Sequence, residues 1–65
     1  MNIVLNGEVH SVQSDRLSEL LVELGFAGRR IATAVNGEFV PLHQRADCRL
    51  AEGDRLEVIA PLQGG

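Results

Sequence analysis

The chain has 65 residues, of which 45% are hydrophobic and 23% charged, and a formal net charge of −3. This composition is typical of one small globular domain, which buries too little surface to build a deep substrate pocket. The negative charge argues against nucleic-acid binding. The single cysteine, Cys48, excludes an internal disulfide and a multi-cysteine metal site, and the lack of a signal peptide or a membrane-spanning apolar run favours a cytoplasmic protein.

The first predicted element is a β-hairpin. Residues 1–5 alternate apolar and polar side chains, Asn6-Gly7 follows, and a second strand-like run covers residues 8–12. An Asn-Gly pair between two such runs is a strong hairpin signal, because both central residues of the turn need positive φ.

A short helix is predicted next, with an apolar stripe of leucines at positions i, i+3, i+4 and i+7: Leu17, Leu20, Leu21 and Leu24. Ser14 and Asp15 offer N-cap side chains, and Gly25 stands where a left-handed C-terminal cap is expected. A helix of about ten residues is too short to be stable alone. Burial of the leucines against a sheet, at about 1.5–3 kcal/mol for each one fully covered, must therefore hold it.

Two strands, a crossover and a last strand complete the predicted domain. Residues 31–35 form the third strand, Asn36-Gly37 repeats the turn signal, and residues 38–40 form a short fourth strand. Residues 42–50 are predicted to be irregular. A turn then leads into the last strand at residues 55–60. The expected architecture is of the α+β class, a sheet with one main helix packed on one face, which buries both amphipathic patterns.

Strand alternation divides the sheet residues between two faces. The side chains predicted to face the helix are Ile3, Leu5, Thr33, Val35, Leu56 and Val58. Those predicted on the opposite face are Val4, Ala34, Phe39 and Ile59. A contiguous apolar surface usually marks an interaction site, whereas scattered exposed apolar residues are common and carry no function. We predict that Val4, Ala34, Phe39 and Ile59 form a partner-binding surface, and that Leu62 extends it.

The sequence closes on Gly64-Gly65, shortly after the last strand-like run. Residues 1–60 are expected to form the domain, and residues 61–65 a flexible C-terminal tail in which Pro61 ends strand pairing. Two glycines make a thin peptide whose carboxylate can enter a narrow enzyme channel. Fully extended, this tail reaches at most about 16–18 Å.

The order of elements resembles the β-grasp, or ubiquitin-like, fold, with a mixed sheet of four to five strands. Residues 34–41 (Ala-Val-Asn-Gly-Glu-Phe-Val-Pro), Gly53-Asp54 and Gly64-Gly65 make the chain resemble the ThiS family, the sulfur carrier proteins of thiamine biosynthesis. The resemblance covers essentially the whole chain. The small subunit of molybdopterin synthase shares the fold and the tail, but residues 36–41 are more similar to the thiamine carriers. The segment at residues 61–63 leaves the choice of partner enzyme open.

The resemblance implies a carrier acted on by partner enzymes, not an enzyme. A ThiF-type adenylating enzyme would use ATP to convert the Gly65 carboxylate to an acyl-adenylate. A persulfide, from a source such as a cysteine desulfurase, would displace AMP and leave a thiocarboxylate, which a ThiG-type thiazole synthase would use to build the thiazole ring. Leu62, Gln63 and Gly64 would thread the partner's active site. No catalytic residue, bound cofactor or metal site is expected on the chain itself.

Two other functions use the same features. A ubiquitin-like modifier would be joined to target lysines after the same activation, and a non-covalent β-grasp interaction domain would leave its terminal glycines unused. A denaturing gel separates a modifier from a carrier, and an intact-mass measurement separates a carrier from a binding module.

Five further side chains are reactive or charged, and three of them are expected to have ordinary structural roles. His10 and His43 have no neighbours at recognised metal-ligand spacing, and Cys48 is expected to be a small, partly buried apolar residue. Arg29 and Arg30 are either solvated loop charges or contacts for an acidic partner; the sequence favours neither.

Overall fold

The computed structural model describes residues 1–61, which form a five-stranded mixed sheet with one α-helix across one face. The elements are β1 (Asn2–Leu5), β2 (Glu8–Ser11), α1 (Leu17–Glu23), β3 (Ala32–Val35), β4 (Glu38–Val40), a 3-10 helix (Leu42–Asp47) and β5 (Arg55–Ile59). The predicted α+β class and strand sequence are confirmed, with strand ends that differ by about one residue. Outside the described residues lie the predictions made for Leu62, Gln63, Gly64 and Gly65.

The last strand in sequence lies in the middle of the sheet. The strand order is β2-β1-β5-β3-β4, and β5 runs parallel to β1 and antiparallel to β3. The two hairpins therefore flank β5, one on each side. Because Ala60 and Pro61 follow β5, the described part of the chain ends next to the central strand and not at an edge.

Both Asn-Gly turns adopt the predicted geometry. Asn6 and Gly7 have φ angles of 48° and 87°, and Asn36 and Gly37 have φ angles of 51° and 85°. Positive φ at both central residues is what a tight two-residue hairpin requires, because its twist then matches that of the two strands. Asparagine and glycine adopt this conformation at low steric cost.

The start of α1 was predicted wrongly. The helix begins at Leu17, its N-cap is Arg16, and no side chain caps it, so Ser14 and Asp15 are not N-caps. The Leu17 N–H donates instead to the Cys48 carbonyl oxygen at 2.8 Å. A backbone group from the crossover thus satisfies a donor that an isolated helix would leave to a capping side chain.

The end of α1 was predicted correctly. Gly25 has a φ angle of 90°, its N–H donates to the Val22 carbonyl oxygen at 3.1 Å, and the Phe26 N–H donates to the Leu21 carbonyl oxygen at 2.8 Å. This pair of bonds is the Schellman motif. It turns the chain sharply and brings Phe26 back towards the helix.

The core lies between α1 and the inner face of the sheet. Its buried apolar residues are Ile3, Val12, Leu17, Leu20, Leu21, Val40, Leu50, Leu56 and Val58. Leu5, Leu24 and Val35 pack against them half-buried, and Thr33 is buried with its hydroxyl donating to the Val40 carbonyl oxygen at 2.8 Å. The predicted helix-facing side of the sheet is confirmed.

The crossover is more ordered than predicted. Leu42–Asp47 forms a 3-10 helix, where an irregular segment was expected. Pro41, with a φ of −67°, precedes it, and the Gln44 N–H donates to the Pro41 carbonyl oxygen at 2.9 Å. A proline fixes φ near the value that a helical turn needs, which favours a turn directly after β4.

The crossover is also tied to the segment before α1. The Leu50 N–H donates to the Asp15 carbonyl oxygen at 2.7 Å, and the Asp15 carboxylate pairs with the Arg49 guanidinium at 3.0 Å.

No helix within residues 1–61 is long enough to cross a membrane, since α1 has only seven residues.

Candidate functional site

The strand that leads into the tail is held by the side chain of the first turn asparagine. The Asn6 Nδ2 donates to the Val58 carbonyl oxygen at 3.1 Å, and the Asn6 Oδ1 accepts from the Val58 N–H at 3.0 Å. The Asn6 backbone N–H donates to the Leu56 carbonyl oxygen at 3.0 Å. β1 ends at Leu5. The Asn6 side-chain amide therefore makes the hydrogen bonds to β5 that a backbone peptide group would make if β1 continued.

The second turn asparagine holds the other end of the same strand. The Asn36 N–H donates to the Arg55 carbonyl oxygen at 2.8 Å, and the Asn36 Oδ1 accepts from the Arg55 N–H at 2.9 Å. The first hairpin turn therefore contributes three hydrogen bonds to β5, and the second contributes two. Ile59, the last residue of β5, pairs with Ala32 of β3. The end of β5, which we call the tail root, is therefore held in place up to Ile59.

The Gly53-Asp54 turn sets where β5 begins. Gly53 has a φ of 83°, the Asp54 N–H donates to the Ala51 carbonyl oxygen at 3.0 Å, and the Asp54 Oδ2 accepts from the Ala51 N–H at 2.8 Å. The Ala51 N–H, and secondarily the Asn36 side chain, lower the pKa of the Asp54 carboxyl below its usual value. The turn is also joined to β1, because the Asp54 carbonyl oxygen accepts from the Val4 N–H at 2.9 Å.

Three of the four predicted partner-binding residues lie together on the outer face of the sheet. Ala34 pairs with Phe39, and Ala32, two residues earlier on β3, pairs with Ile59. Phe39 is 68% exposed and Ile59 63% exposed. We call Ala32, Ala34, Phe39 and Ile59 the Phe39 patch. Ala32 was missed in the sequence, although its position two residues before Ala34 on one strand places it on the same face.

The fourth predicted residue, Val4, is not part of this patch. Val4 pairs with Val9 of the edge strand, which is 70% exposed, and on its other side with Arg55 of β5. Glu57 of β5 lies beside Ala34 on the same face. The charged side chains of the central strand thus separate Val4 and Val9, which we call the Val9 pair, from the Phe39 patch.

A groove of about 570 Å³ adjoins Phe39 and includes Cys48 in its lining. Carboxylates of Glu38, Asp47 and Asp54 also line it. Burial, and then the Asp54 charge, raises the pKa of the Cys48 thiol. Since the thiolate is the nucleophilic form of cysteine, this thiol is poorly suited to covalent chemistry at neutral pH.

The described residues contain no group of three or more His, Cys, Asp or Glu side chains arranged to hold a metal ion. His10 lies half-buried on β2, and His43 is exposed on the 3-10 helix. Within residues 1–61 the chain therefore holds β5 at both ends and exposes the Phe39 patch on the outer face of the sheet.

Comparisons with known proteins assign these features to a family. A family model described as the ThiS family matches residues 2–65. The sulfur carrier protein ThiS of Thermus thermophilus is 36% identical over 61 residues, which cover 94% of this chain and 95% of that protein. A thiazole synthase of Paramagnetospirillum magneticum is 38% identical over 66 residues, which cover 100% of this chain but 20% of that protein.

Solved structures show the same architecture. The crystal structure of the thiamine biosynthesis protein ThiS from Geobacter metallireducens has a TM-score of 0.83, with 26% identity and 100% of both chains covered. An NMR solution structure of a thiamine biosynthesis protein from that organism has a TM-score of 0.79 and 26% identity, and covers 100% of this chain and 88% of that one.

Proposed function

This chain belongs to the ThiS family, and from that membership we propose that its Gly65 carboxylate is adenylated by a partner enzyme and converted to a thiocarboxylate. The predicted β-grasp fold is confirmed by the solved ThiS structure, and the role of sulfur carrier in thiamine biosynthesis is the one that the family supports. The observation that carries the proposal is the family match over residues 2–65, which includes Gly64-Gly65.

The proposed chemistry makes an unreactive carboxylate into a sulfur donor. A carboxylate resists nucleophiles because of its negative charge, so a ThiF-type enzyme first transfers AMP from ATP onto it and releases pyrophosphate. A persulfide from the sulfur source then attacks the acyl carbon, displaces AMP and forms an acyl disulfide. A thiol then attacks the sulfur that belongs to the source's cysteine and forms a new disulfide with it. The S–S bond of the acyl disulfide breaks, which leaves the thiocarboxylate on Gly65.

The chain's own residues would position the tail while partner residues do the chemistry. The Asn6 and Asn36 side chains hold β5 at both ends, so the tail leaves the domain at one defined point. The Phe39 patch lies on the outer face beside that point, because Ile59 belongs to both β5 and the patch. The raised pKa of the Cys48 thiol supports a sulfur source outside this chain.

The thiazole synthase relative supports the identity of the sulfur acceptor. That Paramagnetospirillum protein carries a segment similar to the whole of this chain, and the segment accounts for 20% of its length. A carrier-like segment in one polypeptide with a thiazole synthase favours a ThiG-type enzyme as the protein that receives sulfur from the present chain.

The proposal is tested by intact-mass measurement. The chain is incubated with ATP, a ThiF-type enzyme and a cysteine desulfurase with cysteine, and the expected result is replacement of one oxygen by sulfur. Omission of ATP provides the control and should leave the mass unchanged. An unchanged mass in the complete reaction would contradict the proposal, and a ladder of covalent adducts on a denaturing gel would favour the protein-modifier function instead.

A further inference from the structure

A second groove lies on the helix side of the molecule. Its volume is about 400 Å³, and it runs between the end of α1, the loop that follows and the 3-10 helix. Val22 and Leu42 stand in its lining 63% and 75% exposed, and Phe26 and Ile31 are half-buried there. Large apolar side chains that stay this exposed on both walls of one groove are typical of a surface that a partner covers.

The charge of this groove is opposite to that of the whole chain. Arg29 and Arg45 belong to its lining, and Arg30 follows in the same loop, whereas its lining within residues 1–61 includes no Asp or Glu. The chain has six basic residues and a net charge of −3, and two of those six line this groove. A local positive potential on a negative protein favours a negatively charged partner.

The guanidinium of Arg45 is held in place without a counter-ion. Its Nε donates to the Thr33 hydroxyl at 3.2 Å and its Nη2 donates to the Ile31 carbonyl oxygen at 2.8 Å. Both acceptors are neutral, and no carboxylate of residues 1–61 is in ion-pair contact with this arginine. A fixed, half-buried guanidinium with unused N–H groups is suited to bind a carboxylate through two parallel hydrogen bonds.

Arg29 adds a second cation above the apolar floor. Its guanidinium carbon lies 5.9 Å from the centre of the Phe26 ring, within the range of a cation–π contact. This contact keeps a positive charge beside the aliphatic side chains of the groove, so apolar and anionic groups of one partner segment could be bound together.

The groove also lies near the tail root, on the layer opposite to the Phe39 patch. Ile31 of the groove precedes Ala32, whose partner on β5 is Ile59. A protein that binds in the groove on the helix side can therefore also contact β5, the strand that leads into the tail.

We propose that this groove is a second docking surface, which takes a segment of a partner protein with carboxylates next to aliphatic side chains. The aliphatic side chains of that segment cover Val22 and Leu42, and a carboxylate pairs with Arg45. The identity of the partner, one of the enzymes that handle the tail, rests on the proposed function. The groove itself rests on the contacts above.

The test measures the affinity of the chain for a purified ThiF-type enzyme and a purified ThiG-type enzyme by titration calorimetry. Arg29→Glu and Leu42→Asp change exposed side chains, so the fold should be kept. Each is expected to weaken binding of at least one enzyme about tenfold or more, as loss of a charged or apolar contact at an interface does. Arg45→Lys, which keeps the charge but loses the planar fork, should weaken the same complex.

Matched controls are Arg16→Glu and Val9→Asp, which make the same types of change at exposed positions outside the groove. Circular dichroism of every variant checks folding. The controls should bind as the natural chain does, and added salt should weaken the natural complex more than the Arg29→Glu complex. Unchanged affinity of both groove variants for both enzymes would overturn the inference.

Sulfur loading of the same variants separates this inference from the proposed function. Normal loading of the natural chain with unaffected binding of the groove variants overturns the inference alone. Groove-dependent binding with no sulfur on Gly65 overturns the proposed function alone, and binding of neither enzyme overturns both. A dimer of the natural chain in sedimentation that Arg29→Glu dissociates would show that a second copy occupies the groove, which also overturns the inference.

Discussion

The side-chain amide of Asn6 pairs with both backbone groups of Val58, 52 residues away, at 3.1 Å to the carbonyl oxygen and 3.0 Å from the N–H. A residue that the turn requires for its positive φ thus also binds the strand that carries the tail. The two requirements select asparagine: glycine would permit the turn, but only an amide both donates to and accepts from one peptide unit.

Asn6→Asp should destabilise the domain more than Asn6→Gly, and both should be folded at neutral pH. Aspartate tolerates the turn conformation, but its ionised carboxylate cannot donate to the Val58 carbonyl oxygen and faces that oxygen instead. We expect a loss of about 1–3 kcal/mol in the free energy of unfolding for the aspartate variant, measured by urea unfolding. Gln44→Glu, the same chemical change at an exposed position, should leave that free energy nearly unchanged. Equal stability of Asn6→Asp and the natural chain would show that the hydrogen bonds between Asn6 and Val58 do not stabilise the domain.

Glu23 should make the stability of the domain depend on pH in acid. Its carboxylate accepts from the Gln13 N–H at 2.8 Å and from the Ser14 N–H at 3.1 Å. These bonds, that of Gln13 first, lower the pKa of Glu23 below its usual value of 4.5. A carboxyl with a lowered pKa in the folded state stabilises the fold fully above its unfolded pKa, and this contribution is lost as the pH falls through the folded value.

The measurement compares the natural chain with Glu23→Gln by thermal unfolding across acid and neutral pH. The natural chain should be the more stable above pH 4.5, and the difference should shrink as the pH falls below that value. Glu19→Gln, a change at an exposed position of the same helix, is the control. A difference between the natural chain and Glu23→Gln that stays constant down to strong acid would show that the backbone bonds to Glu23 contribute nothing.

The Cys48 thiol should react slowly with alkylating reagents. Burial and the nearby Asp54 carboxylate raise the pKa of this thiol, so the reactive thiolate is scarce at neutral pH. We expect iodoacetamide to modify Cys48 several-fold more slowly than a cysteine placed at the exposed Ala60 position in a Cys48→Ala background. Cys48→Ala should accept sulfur on Gly65 at the normal rate. A loading defect that persists although Cys48→Ala is folded would give this cysteine a role in the chemistry.

Phe39→Asp should weaken binding to the adenylating partner without unfolding the domain. The side chain is largely exposed in the free protein, so aspartate is tolerated there. We expect Phe39 to be an interface hot spot, and loss of a hot spot costs about 2 kcal/mol or more. Val9→Asp introduces the same charge on the same face, beyond Arg55, and should bind normally. Equal affinity of the natural chain and Phe39→Asp would place the docking surface elsewhere, and a defect in Val9→Asp would extend it across the charged strand.

Gly64→Val should sharply slow adenylation with the fold intact. The reason is that a branched side chain widens the peptide that must enter the partner's channel. Position 64 lies outside the described residues. Ala60→Val, a similar enlargement at the exposed root of the tail, is the matched control and should be adenylated normally. The rate of pyrophosphate release reports the difference. Normal adenylation of Gly64→Val would show that a side chain at position 64 does not hinder entry into the partner's channel.

The sequence by itself determined the features that depend on neighbouring residues. Both Asn-Gly turns, the leucine stripe of α1, the Gly25 cap and the two faces of the sheet follow from backbone sterics and side-chain periodicity. These act over a few positions, and the structure confirms each of them.

Only the tertiary structure decided which distant groups meet. Ser14 and Asp15 looked like N-caps, but the Cys48 carbonyl oxygen accepts from the Leu17 N–H instead. Val4 shares a face with the Phe39 patch by alternation alone, yet the position of β5 in the centre of the sheet puts Arg55 and Glu57 between them. Strand order and long-range hydrogen bonds depend on the free energy of the whole packed chain, which no local pattern encodes.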